Sequence, residues 1–226
     1  MSDHCNQTNQ DNIYQIPVHH SSIIPQSTTM ISSTSKPSPP LPYRIIPAHT
    51  PEHLSAIRSL FRAYVQWLNI DLTFQDFETE LNSLPGKYGA ASGGDLLLAY
   101  SSSSSTEEHN IPLGCVALRP ITLRSYPIEP SHDAGDDRPE VKYCEMKRLY
   151  VSPEARRMGL GKALVQAVVQ RARELGYQAM RLDTLRTMEG PLRLYRAAGF
   201  VDVGPYYETP LVEETVFLGL NLRGTE

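Results

Sequence analysis

The chain has 226 residues, of which 21 are basic and 25 acidic. Near-neutral charge at that length excludes a nucleic-acid or membrane-surface role driven by bulk electrostatics, because neither polyanion would be attracted over long range. Three cysteines, Cys5, Cys115 and Cys144, are too few and too irregular for a disulfide framework, no histidine or cysteine set has metal-ligand spacing, and no apolar run approaches the roughly 18 residues of a membrane span.

Residues 1–42 are dominated by Ser, Thr, Gln, Asn, His and Pro and close on KPSPPLP. Such a segment buries too little apolar area to offset its ordering entropy, which predicts a disordered tail. It lacks the charged start and apolar stretch of a secretory signal and has no arginine before Arg44, so the expected location is cytoplasmic. The folded domain is expected over residues 43–226. Tyr43 to Ala48 reads as a strand, and Thr50-Pro51 as a helix start with a cap followed by proline. Leu54, Ile57, Phe61, Tyr64, Val65 and Leu68 then recur at helical spacing. A shorter helix is expected from Phe74 to Leu84, stopped by Pro85-Gly86. Leu96 to Tyr100 and Ile111 to Arg119 read as hairpin strands around a Ser-rich loop, and the connection from Pro120 to Pro139 is long enough to suggest a functional lid.

The stretch that organises the rest runs from Val141 into the helix pattern Leu160, Ala163, Leu164, Ala167, Val168, Leu175. A β-rich run ends at Ser152-Pro153, crosses a basic turn containing Gly159 and Gly161, and switches to helical period. The first amides of such a helix have no partner inside it and lie at the positive end of its dipole. With Arg156, Arg157 and Lys162 beside them, the junction reads as a phosphate or pyrophosphate cradle. A nucleotide-triphosphate loop would need a glycine at Arg156 and Ser or Thr at Ala163, and a dinucleotide fingerprint would need a glycine at Leu164. Beyond the junction, Gln178 to Thr184 is a fifth strand, Met188 to Ala198 a helix closed by Gly199, and Phe200 to Val203 and Thr215 to Leu222 the last strands. The order βααβββαβαββ predicts a mixed α/β sheet with helices on both faces.

What remains at the junction is R-x-x-G-x-G, Arg156 to Gly161, and about 35 residues later comes LYRAAGF, Leu194 to Phe200. On these two motifs residues 43–222 resemble the GNAT superfamily of acyl-CoA N-acyltransferases. The resemblance implies a splayed central sheet of about seven strands, acetyl-CoA as acyl donor, no metal, and an amine acceptor, here expected to be a small molecule, served by a monomer or homodimer; a protein-lysine acetyltransferase and a non-catalytic acyl-CoA-binding sensor on the same fold are the alternatives. It implies donor binding by Leu149, Tyr150, Val151, Arg156, Arg157, Met158, Gly159, Leu160, Gly161 and Lys162, with the strand backbone meeting the pantetheine arm and the helix amides the pyrophosphate.

The same resemblance makes Tyr195 the acid that protonates the departing thiolate, a role suited to a phenol with an ordinary pKa near 10. Glu145 lies eleven residues before Arg156, where histone-modifying relatives carry a catalytic glutamate, so it is the candidate base; it could equally pair with Lys147 or Arg181. Cys144 invites a thiol relay, although a lone cysteine is commonly a small buried hydrophobe. Met188 and Pro191 replace the asparagine and alanine that the superfamily often places before the tyrosine, so donor binding should lean on residues 149–162. Asp183 could orient a cationic acceptor or serve as a turn residue.

Overall fold

A computed structural model describes residues 42–68, 76–102, 111–123 and 141–223. The expected tail, the Ser-rich loop after Ser102 and most of the connection from Pro120 to Pro139, with His132, lie outside the described residues. Eleven main elements follow the expected order. They are β1 (Tyr43–Pro47), α1 (Pro51–Leu68), α2 (Phe77–Asn82), β2 (Asp95–Ser101), β3 (Pro112–Ile121), β4 (Tyr143–Val151), α3 (Leu160–Glu174), β5 (Ala179–Leu185), α4 (Glu189–Ala197), β6 (Val201–Asp202) and β7 (Thr215–Asn221). The second helix is shorter at its end than expected: it stops at Asn82, and two 3₁₀ turns, Gly86–Tyr88 and Ala90–Ser92, occupy the Gly-rich stretch that follows.

The seven strands form one sheet in the order β1-β2-β3-β4-β5-β7-β6, antiparallel except for the β4·β5 pair. A parallel pair needs a crossover, and α3 supplies it. Because side chains alternate across a strand, β2 sends Leu97 and Ala99 to one face and Leu96, Leu98 and Tyr100 to the other. The first face packs under α3, whose Leu160, Leu164, Val165, Val168, Val169 and Ala172 fall at helical spacing, and under Tyr195 of α4. The second packs under α1 through Ile57, Leu60 and Phe61 and under Phe77 and Leu81 of α2. Both faces are covered, which is why β2 reads as a continuous apolar run.

Two irregularities position the site. Pairing of β4 with β5 runs from Tyr143 opposite Ala179 to Glu145 opposite Arg181, and among the described residues it goes no further, although both strands continue. On its other side β4 stays paired with β3 to Val151, but with a bulge: Cys115 faces Tyr150 while Ala117 faces Lys147, so three strand positions of β3 match four of β4. Arg148 sits in the bulge at φ 56, a left-handed conformation rare outside glycine. The bulge resets the alternation. Cys144 and Met146 before it and Leu149 and Val151 after it all face α3, while Tyr150 joins the α1 side.

Strands β3 and β4 approach closely at Gly114, where an added Cβ would lie 2.6 Å from the Tyr150 carbonyl oxygen. Backbone cannot yield as a side chain does, so Gly114→Ala is expected to destabilise the fold by about 1–3 kcal/mol. Urea unfolding measures this, and an unchanged midpoint would show that the two strands part freely.

Candidate active site

Where β4 leaves β5, a cavity of about 550 Å³ opens, lined by the end of β4, the turn into α3, the end of β5, α4, the end of α1 and the loop between β6 and β7. Leu149, Tyr150, Val151, Arg156, Arg157, Gly159, Leu160, Gly161, Lys162 and Tyr195 all line it; Met158 is not among the lining residues. At one end is the α3 start. Gly159 caps the helix at φ 76, which a side chain would resist, and the amides of Leu160, Gly161 and Lys162 have no earlier carbonyl within the helix to bond. A Cβ on Gly161 would come no nearer than 3.5 Å to Leu194, so its bareness leaves space at the cavity wall. Arg157 and Lys162 form no ion pair with the described residues. Arg156 folds back: its guanidinium lies 5.1 Å from the Trp67 ring centre, and its Nε donates to the Val151 carbonyl at 3.4 Å.

Along the floor, Ser152 donates its amide to Leu113 of β3 and Tyr150 pairs with Cys115. Backbone direction alternates along a strand, so Val151 turns its amide and carbonyl away from β3, toward the gap that β5 has left. Tyr195 projects from α4 into this gap, buried and packed 6.0 Å from Phe200, and burial, with Tyr64 and Asp183 nearby, raises its phenol above the ordinary value.

At the other end lies a charged cluster. Lys147 donates from Nζ to Asp183 Oδ1 at 2.9 Å, stands 3.7 Å from Glu145 Oε1, and lies 5.8 Å from the centre of the Tyr207 ring. Burial alone would lower the lysine, but Asp183 and Glu145 outweigh it and raise Lys147, which therefore stays an ammonium. Burial likewise pushes Asp183 up, but Lys147 prevails and holds its carboxyl below the ordinary value, with a further hydrogen bond from Tyr207. The aspartate that could have oriented a cationic acceptor thus already holds the chain's own cation.

Glu145 is fully buried and not among the cavity-lining residues. Arg119 donates from Nε to its Oε2 at 2.6 Å, and Tyr206 donates from Oη to its Oε1 at 2.8 Å. Its partners are therefore Arg119, Tyr206 and Lys147, whereas Arg181 lies over the Tyr143 ring. Cys144 is also fully buried, in the core under α3, and burial pushes its thiol up to about 12, which removes the thiolate a relay would need.

Four features had no place in the sequence reading. Trp67 extends the aromatic group Tyr64 and Tyr150 at the cavity wall, with centroids 6.2–6.5 Å apart. Tyr206, Tyr207 and Phe217 form a second group, with centroids 5.2–5.5 Å apart. Arg119 comes from β3. Arg148 reaches α2, donating from Nε to Glu80 Oε1 at 2.7 Å and from Nη2 to Oε2 at 3.1 Å, while Lys87 Nζ lies 2.6 Å from Oε2. Part of the signal for the last was present: Arg148 follows Lys147 and breaks the apolar–polar alternation that runs from Cys144 to Lys147, as a bulge does.

A family model described as the acetyltransferase (GNAT) family matches residues 62–200. An N-acetyltransferase of Dictyostelium discoideum, called uncharacterized, is 32% identical over 214 residues, covering 76% of this chain and 96% of the relative. One of Schizosaccharomyces pombe, named in the same way, is 36% identical over 172 residues, 76% of this chain and 90% of the relative. Among solved structures, Arabidopsis thaliana NAA60 in complex with acetyl-CoA aligns with a TM-score of 0.57 at 17% identity, covering 80% of this chain and 99% of that one. Salmonella typhimurium yncA with its cofactor acetyl-CoA aligns at 0.53 and 16%, covering 81% and 96%. At these identities the structural likeness is one of fold.

The buried group of Glu80, Arg148 and Lys87 carries a stability signature. Burial would raise Glu80, but Arg148 and Lys87 outweigh it and bring its carboxyl down to about 2 from 4.5. A depressed carboxylate contributes stability that is complete above the unfolded value and lost as pH falls through the folded one. The expected loss is on the order of 3 kcal/mol between about pH 4.5 and 2. In Glu80→Gln this component is absent, so denaturant unfolding followed over that range should show a flatter acid slope than the wild type; parallel slopes would mean that the pair does not couple to folding.

Proposed function

The chain belongs to the acetyltransferase (GNAT) family and is an N-acetyltransferase, and from that premise we propose that it moves the acetyl group of acetyl-CoA directly to a primary amine of a small-molecule acceptor. The observation that carries the reading is the gap between β4 and β5, which joins the bare amides of α3 to the phenol of Tyr195 in one cavity. The amides of Leu160, Gly161 and Lys162, with Arg157 and Lys162 side chains at the rim, suit a pyrophosphate. The backbone of Val151 suits an extended amide-bearing arm, which pairs with a strand edge as another strand would. Acetyl-CoA supplies an activated acyl group.

Transfer requires a neutral amine. An ammonium that enters the cavity gives its first proton to solvent before the nitrogen attacks. The amine nitrogen attacks the thioester carbonyl, the carbon–sulfur bond breaks, and the sulfur leaves with the electron pair. Tyr195, kept protonated by its buried setting, gives that sulfur a proton as the carbon–sulfur bond breaks. The proton lost by the acceptor nitrogen restores the phenol through solvent. In this reading Glu145 acts at one remove: it fixes Tyr206, Arg119 and Lys147, and any part in removing the proton runs through those groups. Cys144 takes no part.

The lining and charge of the acceptor end support a small monoamine. Tyr207, Thr209 and Leu211, from the β6–β7 loop, wall the cavity at the end away from the α3 amides. Asp183 is engaged by Lys147, so a second ammonium, as in a polyamine, meets no unengaged carboxylate among the described lining residues.

Two measurements test this. Tyr195→Phe should lower kcat by roughly 100-fold or more while the acetyl-CoA KM stays within about twofold; an unchanged kcat would remove the phenol from the reaction. In a thiol-release screen, small monoamines should turn over with higher kcat/KM than polyamines or peptides. Preference for a peptide amine would overturn the small-molecule assignment and leave the N-acetyltransferase assignment standing.

A further inference from the structure

Arg148 is an unusual residue for its position. It is a long charged side chain, almost wholly buried, at φ 56 in the middle of a strand. L-residues resist that conformation, and a strand without a bulge is the default alternative. If β4 relaxed to regular pairing, residues 149–151 would shift by one, and every side chain and backbone group in that stretch would change sides. Leu149 and Val151 would leave the α3 core, and the backbone of Val151 would turn away from the gap.

What holds Arg148 in place comes from another element. Its guanidinium engages Glu80 of α2 through two nitrogens and lies 5.4 Å from the centre of the Phe77 ring, also on α2. Glu80 is itself buried and draws in Lys87 from the first 3₁₀ turn. A two-pronged contact of this kind fixes direction as well as distance, and a lysine could not reproduce it. The segment from α2 to the first 3₁₀ turn is thereby tied to one residue of β4, the one next to the strand edge that faces the cavity.

We infer that the Glu80–Arg148 pair is a positioning device for the donor site: it keeps β4 bulged, so that the strand edge at Val151 stays open to the pantetheine arm of acetyl-CoA. The inference rests on the donor assignment above. It predicts that breaking the pair weakens donor binding and spares the chemistry, because Tyr195 stands on α4 and does not depend on the bulge.

Glu80 does not line the cavity, so an effect of Glu80→Gln on donor affinity is indirect and travels through its partners, Arg148 on β4 and Lys87 on the 3₁₀ turn. A second variant, Glu80→Met with Arg148→Met, removes the pair without leaving a buried unpaired charge and so carries the test if the first fails to fold. Coenzyme A binding is followed by the fluorescence of Trp67, the chain's sole tryptophan and part of the cavity wall, alongside steady-state kinetics. Both variants should bind coenzyme A about tenfold more weakly and show a matching rise in acetyl-CoA KM, with kcat at saturating donor within about twofold of wild type. A folded variant that has lost the pair yet binds coenzyme A as the wild type does would overturn the inference, since a purely structural role would lower the melting temperature alone. A wild type that binds no coenzyme A would instead overturn the donor assignment itself.

Discussion

The parting of β4 from β5 after Glu145 is the constraint from which the rest of this structure follows. A parallel pair that closed along its full length would bury its backbone groups in a ladder and leave no cavity. Stopped after three residue pairs, it leaves a wedge with a strand edge on one side, α4 on the other and the bare start of α3 at its mouth. A gap in a sheet is costly unless the exposed polar groups are satisfied. Here Arg156 reaches the Val151 carbonyl, the Lys147–Asp183 pair lies across the deeper part, and the cavity serves the remainder.

Burial then sorts the titratable groups by role. Tyr195 is buried without a close cation and is raised, so it keeps its proton. Lys147 and Asp183 are buried together, and each holds the other in its charged form. Cys144, buried in the core with no cation strong enough to offset the loss of solvent, is disabled as a nucleophile. Residues of similar sequence prominence thus end with different chemistry, and neighbours rather than residue type decide it.

The fold was legible where periodicity is local. Leu54 to Leu68 and Leu160 to Leu175 declare helices by spacing, and Gly159 marks the turn that bares the α3 amides. Element order followed from these, and Tyr195 from its motif. Apart from Lys147 beside Glu145, two positions along the same strand, the partners of the charged residues were not legible, because they depend on tertiary contacts. Glu145 meets Arg119 from 26 residues upstream and Tyr206 from 61 downstream, and Arg148 meets Glu80 across 68 residues. Asp183 read as an acceptor-orienting or a turn residue because the lysine that engages it lies on a neighbouring strand. The short α2 was overextended because Phe77, Leu81 and Leu84 all enter the α1-side core, yet the helix ends at Asn82.

Amide hydrogen exchange with and without acetyl-CoA tests the central claim most directly, since it reads the backbone groups on which the account depends. Donor binding should slow exchange at Val151 and at Leu160, Gly161 and Lys162, while the β2·β3 ladder, already paired, stays as it was. Protection that appeared elsewhere and left these amides exchanging freely would contradict the account, because the opened strand edge and the helix mouth would then not be where the donor is held.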